Sequence, residues 1–106
     1  MPIRLALLTL LLVASTAAAE TPTANLTIRN RVFEPTELNV PAGQKIELRV
    51  RNEDTAASEF ESHELHREKV VPAGQEVVVN IGPLRAGRYE FFDDFNPKSR
   101  GHIVAK

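Results

Sequence analysis

The sequence predicts an all-β domain, an antiparallel Greek-key β-sandwich or barrel of about seven short strands. Three observations carry this expectation. Residues 45–51 (Lys-Ile-Glu-Leu-Arg-Val-Arg) alternate strictly between charged and branched apolar side chains, the period of a strand with one buried face. Pro-Ala-Gly occurs twice, at 41–43 and 72–74, and each copy leads into an alternating run. Proline sets φ and glycine supplies a positive φ, so both copies read as hairpin corners. After residue 20 no sustained helical period occurs, and Pro/Gly punctuation recurs at short intervals, as in sandwiches and barrels.

The elements follow in order. Residues 20–24 read as a polar, flexible tether ahead of a domain spanning 25–106. Leu26 and Ile28 share one face of a strand at 25–30, with Thr27 and Arg29 opposite. Pro35 interrupts the chain, a strand begins at 37–40, and the 45–51 strand ends at Asn52-Glu53-Asp54. A short strand at 57–62 contributes Phe60 as its one large core residue. Residues 61–69 include helix formers, but Leu65 is their single apolar side chain, so extended or irregular backbone with at most one turn is expected. Val77, Val79 and Ile81 line one face of a strand at 76–81. Gly82-Pro83 and Ala86-Gly87 bracket the passage to a strand at 88–92, followed by a short polar loop and a final strand at 102–105. Tyr89, Phe91, Phe92 and Phe95 are assigned to the core and the barrel mouth.

Residues 1–19 have the make-up of a secretory signal peptide. One arginine, Arg4, stands near the start of an almost purely apolar run at 3–13, and small residues at 15–19 end in an Ala-x-Ala pattern. Cleavage after Ala19 and a periplasmic destination are expected, and the run is too short for a membrane span of about 20 residues. Loss of Arg4 leaves 12 basic and 14 acidic residues. That balance offers no basic field for nucleic acid. Cysteine is absent and the single methionine is Met1, so the mature chain has no sulfur ligand and no disulfide.

Two stretches concentrate ligand chemistry: 58–69 (Ser-Glu-Phe-Glu-Ser-His-Glu-Leu-His-Arg-Glu-Lys) and the segment after the 88–92 strand, Asp93-Asp94-Phe95-Asn96. Carboxylate oxygen and neutral imidazole nitrogen suit first-row divalent ions. Glu59, Glu61, His63, His66, Glu68, Asp93, Asp94 and His102 are the candidate metal ligands. On a strand, residues two apart share a face, so Glu59, Glu61 and His63 form a row, whereas His63 and His66 diverge. One member of the Asp93-Asp94 pair is expected to cap the turn through backbone N–H groups and the other to stay free. The acids also suit a solvated edge that discourages strand pairing, and Arg67 or Arg88 could compete with a metal for them. No nucleophile–base pair or phosphate-cradling glycine loop stands out.

The run Phe-Glu-Pro-Thr-Glu-Leu-Asn-Val-Pro-Ala-Gly at 33–43, with the alternating strand ending at Asn52, resembles the N-terminal half of the cupredoxin fold. The closing Gly-Arg-Tyr-Glu-Phe-Phe-Asp-Asp-Phe-Asn at 87–96 and Gly-His-Ile-Val at 101–104 resemble its last two strands. More narrowly, Glu-Phe-Glu-Ser at 59–62, Glu-Lys-Val-Val at 68–71 and Gly-Pro-Leu at 82–84 resemble the periplasmic cupredoxin-like proteins that accompany bacterial iron permeases. The resemblance implies a copper- or iron-binding accessory protein of ferrous-iron uptake that helps present or oxidise Fe(II) for an iron permease. It also places the family's thiolate position at Asp93, its imidazoles at Ser58 and near Asn96, and its thioether near Ser99. All four residues here bear oxygen, so the ordinary blue-copper set is missing. The alternative reading is a metal-free interaction module that docks its acidic face onto a permease complex.

Overall fold

The computed structural model describes residues 2–4, 6–12 and 20–106. The Ala-x-Ala pattern and the cleavage point expected after Ala19 lie outside them. Residues 2–4 and 6–12 adopt no strand or helix and expose their leucines. No helix among the described residues is long and apolar enough to cross a membrane.

The domain is all-β. Its strands are β1 (Thr23–Arg29), β2 (Val32–Glu34), β3 (Glu37–Val40), β4 (Ile46–Asn52), β5 (Ser58–Ser62), β6 (Arg67–Val71), β7 (Glu76–Ile81), β8 (Gly87–Asp93) and β9 (Asn96–Ala105). They form two sheets, ordered β2-β1-β4-β7 and β3-β9-β8-β5-β6. The expectation of about seven antiparallel strands is corrected on two counts. Among the described residues nine strands are present, and both sheets are mixed, because β1 runs parallel to β4 and β3 parallel to β9. β1 also takes in the last two residues of the segment read as a tether, Thr23 and Ala24. Ala24 there is buried and faces Leu48 across the β1–β4 ladder.

The largest revision concerns the closing segment. Residues 96–101, read as polar loop, are the first six residues of β9. Their inward positions are Ser99 and Gly101, which carry no apolar side chain, so the two-residue period is invisible to a hydrophobicity reading. The loop shrinks to Asp94 and Phe95, closed by the Asp93–Asn96 pair. Gly43 and Gly74 of the two Pro-Ala-Gly corners take φ of 77° and 69°, as the turn chemistry requires.

Burial alternates along the strands and fills the space between the sheets. Leu26, Ile28, Ile46, Leu48 and Val50 face Phe60, Val71, Phe91 and Ile103, all within 1% of complete burial. Phe33, Phe60 and Phe91 meet at the centre; Phe33 stands edge-on to Phe91 with centroids 4.9 Å apart at 87°. Each buried ring contributes about 2–3 kcal/mol by area, and edge-to-face contact adds about 1 kcal/mol.

Asn52, fully buried at the end of β4, ties the 53–57 loop to this core. Its Nδ2 donates to the carbonyls of Ala56 (2.8 Å) and Val71 (3.0 Å), and its Oδ1 accepts from the Asp54 N–H (2.9 Å). Asn52→Ala strands three backbone groups, two of them acceptors turned toward the interior. The expected loss is about 2 kcal/mol, read as a lower midpoint in urea unfolding at unchanged slope.

Candidate metal centre

The alternation that buries Phe60 sets the site. With Ser58, Phe60 and Ser62 pointing inward along β5, Glu59 and Glu61 must emerge on the outer face of the five-stranded sheet. β6 pairs antiparallel with β5 and places Glu68 directly opposite Glu61. On the other side β8 pairs Phe92 with Glu61, and the turn after β8 brings Asp94 alongside. One carboxylate oxygen each from Glu59, Glu61 and Asp94 lies within 4.8 Å of the other two.

Electrostatics mark these acids as mutually strained. Burial pushes the Glu59 carboxyl above its ordinary value, and the charges of Glu68, Asp94 and Glu61 push in the same direction. Glu61 is likewise raised, first by burial and then by Asp94 and Glu68, with His63 opposing. Glu59 is only 8% exposed, and the side-chain partner of its carboxylate is another acid, Glu68. The arginines that could have neutralised the cluster are engaged elsewhere. Arg67 Nε donates to the Asn80 carbonyl at 2.9 Å, and Arg88 pairs with Glu37 at 3.2 Å. Arg100 bonds Glu90 at 2.5 Å and lies over the Phe92 ring, 4.9 Å from its centroid.

The sequence-derived ligand candidates separate in space. Glu59, Glu61, Glu68 and Asp94 converge. His63 sits at the rim, largely exposed, with Nδ1 3.7 Å from Glu61 and its ring 5.1 Å from that of Phe92. His66 occupies the β5–β6 turn at φ 53° and joins Glu61, His63 and Glu68 in lining a shallow cleft of about 190 Å³. His102 lies apart on β9, opposite Glu90 and 4.0 Å from it. Asp93 points the other way, is 2% exposed, and accepts hydrogen bonds on Oδ1 from the Glu59 and Phe95 N–H groups. It therefore caps the turn, while Asp94 stands free. Phe92, assigned from the sequence to the core and barrel mouth, instead lies beside Glu61 and walls one side of the cluster with Arg100, which was not singled out. Their placement depends on a β8–β9 register that the loop reading of 96–101 concealed.

A second, larger cavity of about 630 Å³ opens at the end of the sandwich, among Arg31, the 53–58 loop, Asp93, Phe95 and Asn96. It contains three of the four positions to which the resemblance assigns a family ligand: Ser58, Asp93 and Asn96.

A cupredoxin-like domain model matches residues 2–105. The chain belongs to the cupredoxin-like family. Over 80 residues it is 42% identical to an uncharacterized protein of Rickettsia prowazekii (strain Madrid E), covering 74% of this chain and 64% of that protein's length. Among solved structures, this cupredoxin-like chain superposes on auracyanin A, a "blue" copper protein from Chloroflexus aurantiacus. The TM-score is 0.69 at 16% identity, over 82% of this chain and all of that one. Amicyanin from Paracoccus versutus gives 0.61 at 16% identity, over 86% of each chain. The metal-binding domain of the Streptococcus pneumoniae D39 Cu(I)-exporting P-type ATPase CopA gives 0.67 at 15% identity, over 85% and 99%. At these identities the likeness establishes the fold.

A blue-copper centre does not fit the residues at the mouth. The chain has no cysteine to supply the thiolate, the positions to which the resemblance assigns the ligands hold Asp93, Ser58, Asn96 and Ser99, and the Asp93 oxygen is committed to two backbone donors. The outer carboxylates do fit a cation, because oxygen donors without sulfur suit hard and borderline divalent ions.

Proposed function

We propose that this protein binds a copper or iron ion on the outer face of its five-stranded sheet, through Glu59, Glu61, Glu68 and Asp94 with His63 at the rim. The observation that carries the reading is the convergence of three carboxylate oxygens within 4.8 Å. Like charges this close raise one another's pKa, and a bound cation removes that repulsion. The protein would act after export by its N-terminal leader, as a periplasmic accessory of ferrous-iron uptake that hands the ion to an iron permease. Support for this role comes from the narrow resemblance of residues 59–62, 68–71 and 82–84 and from the acid-rich donor set.

The test is calorimetric titration of the chelator-stripped domain from residue 20 onward, with Cu(II) and, anaerobically, with Fe(II). One equivalent should bind to the parent, and a Glu61→Gln, Asp94→Asn variant should bind none. Absence of binding by the parent overturns the metal reading and leaves the acidic face as a docking surface.

A further inference from the structure

We propose that Asp93 is a positioning residue of the carboxylate centre: its buried oxygen, and not its charge, sets the spacing between Glu59 and Asp94. The proposal rests on the metal-binding reading above. Consecutive residues at the end of β8 grip both backbone polar groups of Glu59. The Glu59 N–H donates to Asp93 Oδ1 at 3.0 Å, and the Glu59 carbonyl accepts from the Asp94 N–H at 3.0 Å. The same Oδ1 accepts from the Phe95 N–H at 2.9 Å, which closes the two-residue turn carrying Asp94.

One oxygen thus joins the strand that bears one ligand to the turn that bears another. Farther along the same two strands, β5 and β8, the Ser62 hydroxyl donates to the Glu90 carbonyl at 2.7 Å. The β5–β8 ladder consists of two pairs, Phe60–Asp93 and Glu61–Phe92, and the β8–β9 register shifts between Phe92 and Asp93. Asp93 itself lies with Phe60 on the inner side, in the wall of the mouth cavity, so its carboxylate is separated by the sheet from the acids it organises. A group that hydrogen-bonds behind the ligands in this way tunes affinity by holding them in place.

The acceptor requirement and the charge requirement are separable. Asn keeps an Oδ1 that can accept both N–H groups but carries no charge; Ala keeps neither. Cu(II) titration of the folded domain is the experiment, run on the parent, Asp93→Asn, Asp93→Ala and Asp94→Asn, with circular dichroism confirming the fold of each. Asp93→Asn should bind within about threefold of the parent, whereas Asp93→Ala should bind about 10- to 100-fold more weakly. Asp94→Asn should lose binding by at least as much as Asp93→Ala. Equal losses in Asp93→Asn and Asp94→Asn would make Asp93 a ligand and overturn the proposal. Parent-like binding by folded Asp93→Ala would reduce Asp93 to a stability role and also overturn it. If Asp93→Ala does not fold, the contrast between Asp93→Asn and Asp94→Asn decides. A parent that binds no Cu(II) removes the centre itself, an outcome distinct from any pattern among the variants.

Discussion

Gly101→Ala should be among the most damaging single-methyl additions to this domain. A Cβ built on Gly101 would lie 2.4 Å from Phe91 Cζ and 2.7 Å from the Thr36 carbonyl oxygen. Neither obstacle can yield cheaply. Phe91 is fully buried and packed against Phe33 and Phe60. The Thr36 oxygen accepts the His102 N–H at 2.8 Å and so belongs to the junction between β9 and the start of β3. Overpacking of this kind costs about 3 kcal/mol, a large share of the 5–15 kcal/mol that holds a typical domain folded. Chemical denaturation should show it as a lower midpoint. Phe91→Leu, itself destabilising, should recover part of the loss in the Gly101→Ala background. Strict additivity in that double-mutant cycle would mean that the clash with Phe91 is not the cause.

The second large effect concerns Glu59 and has opposite signs in the two states of the protein. Burial and three neighbouring acids raise the Glu59 carboxyl above its ordinary value. A raised carboxyl binds protons more readily folded than unfolded, so stability falls as pH rises through the interval between the two values. The apo protein should therefore melt at a higher temperature near pH 5 than near pH 7 through these groups, with Glu61 acting in the same sense. Glu59→Gln should raise the apo melting temperature at neutral pH and flatten the pH dependence. On the metal-binding proposal, Cu(II) at about 100 times its Kd should stabilise the parent by about 2.7 kcal/mol, and the same substitution should abolish that rise in melting temperature. A variant less stable than the parent at pH 7 in the absence of metal would show that Glu59 contributes favourable contacts rather than repulsion.

The same alternation that made the fold legible also located half of the site. Residues 45–51 announced β4, and the placement of Phe60 inward fixed Glu59 and Glu61 outward before any partner strand was known. What the sequence could not reveal was pairing. Glu68 faces Glu61 only because β6 returns along β5, and residues 61–69 carry too few apolar side chains to declare a hairpin. His102 looked equivalent to His63 by chemistry, yet β8 lies between their strands and Glu90 is its neighbour. The fate of the arginines was equally hidden. Arg67 turns toward β7 and Arg88 toward β3, and both choices depend on contacts distant in the chain. Parallel pairing of β1 with β4 and of β3 with β9 left no local trace, since crossover partners are set by the closure of the whole sandwich.

The outward direction of Glu59 and Glu61 has a kinetic consequence. An ion held inside a sandwich must wait for the fold to open before it can leave, so its exchange is tied to global or loop breathing. An ion held on the outer surface of a paired sheet faces no such barrier. Exchange there is governed by the loss and regain of its own water molecules and by the attack of a second set of ligands from the open side. A site of this geometry is suited to transit: the core can remain rigid and closed through every cycle of loading and release.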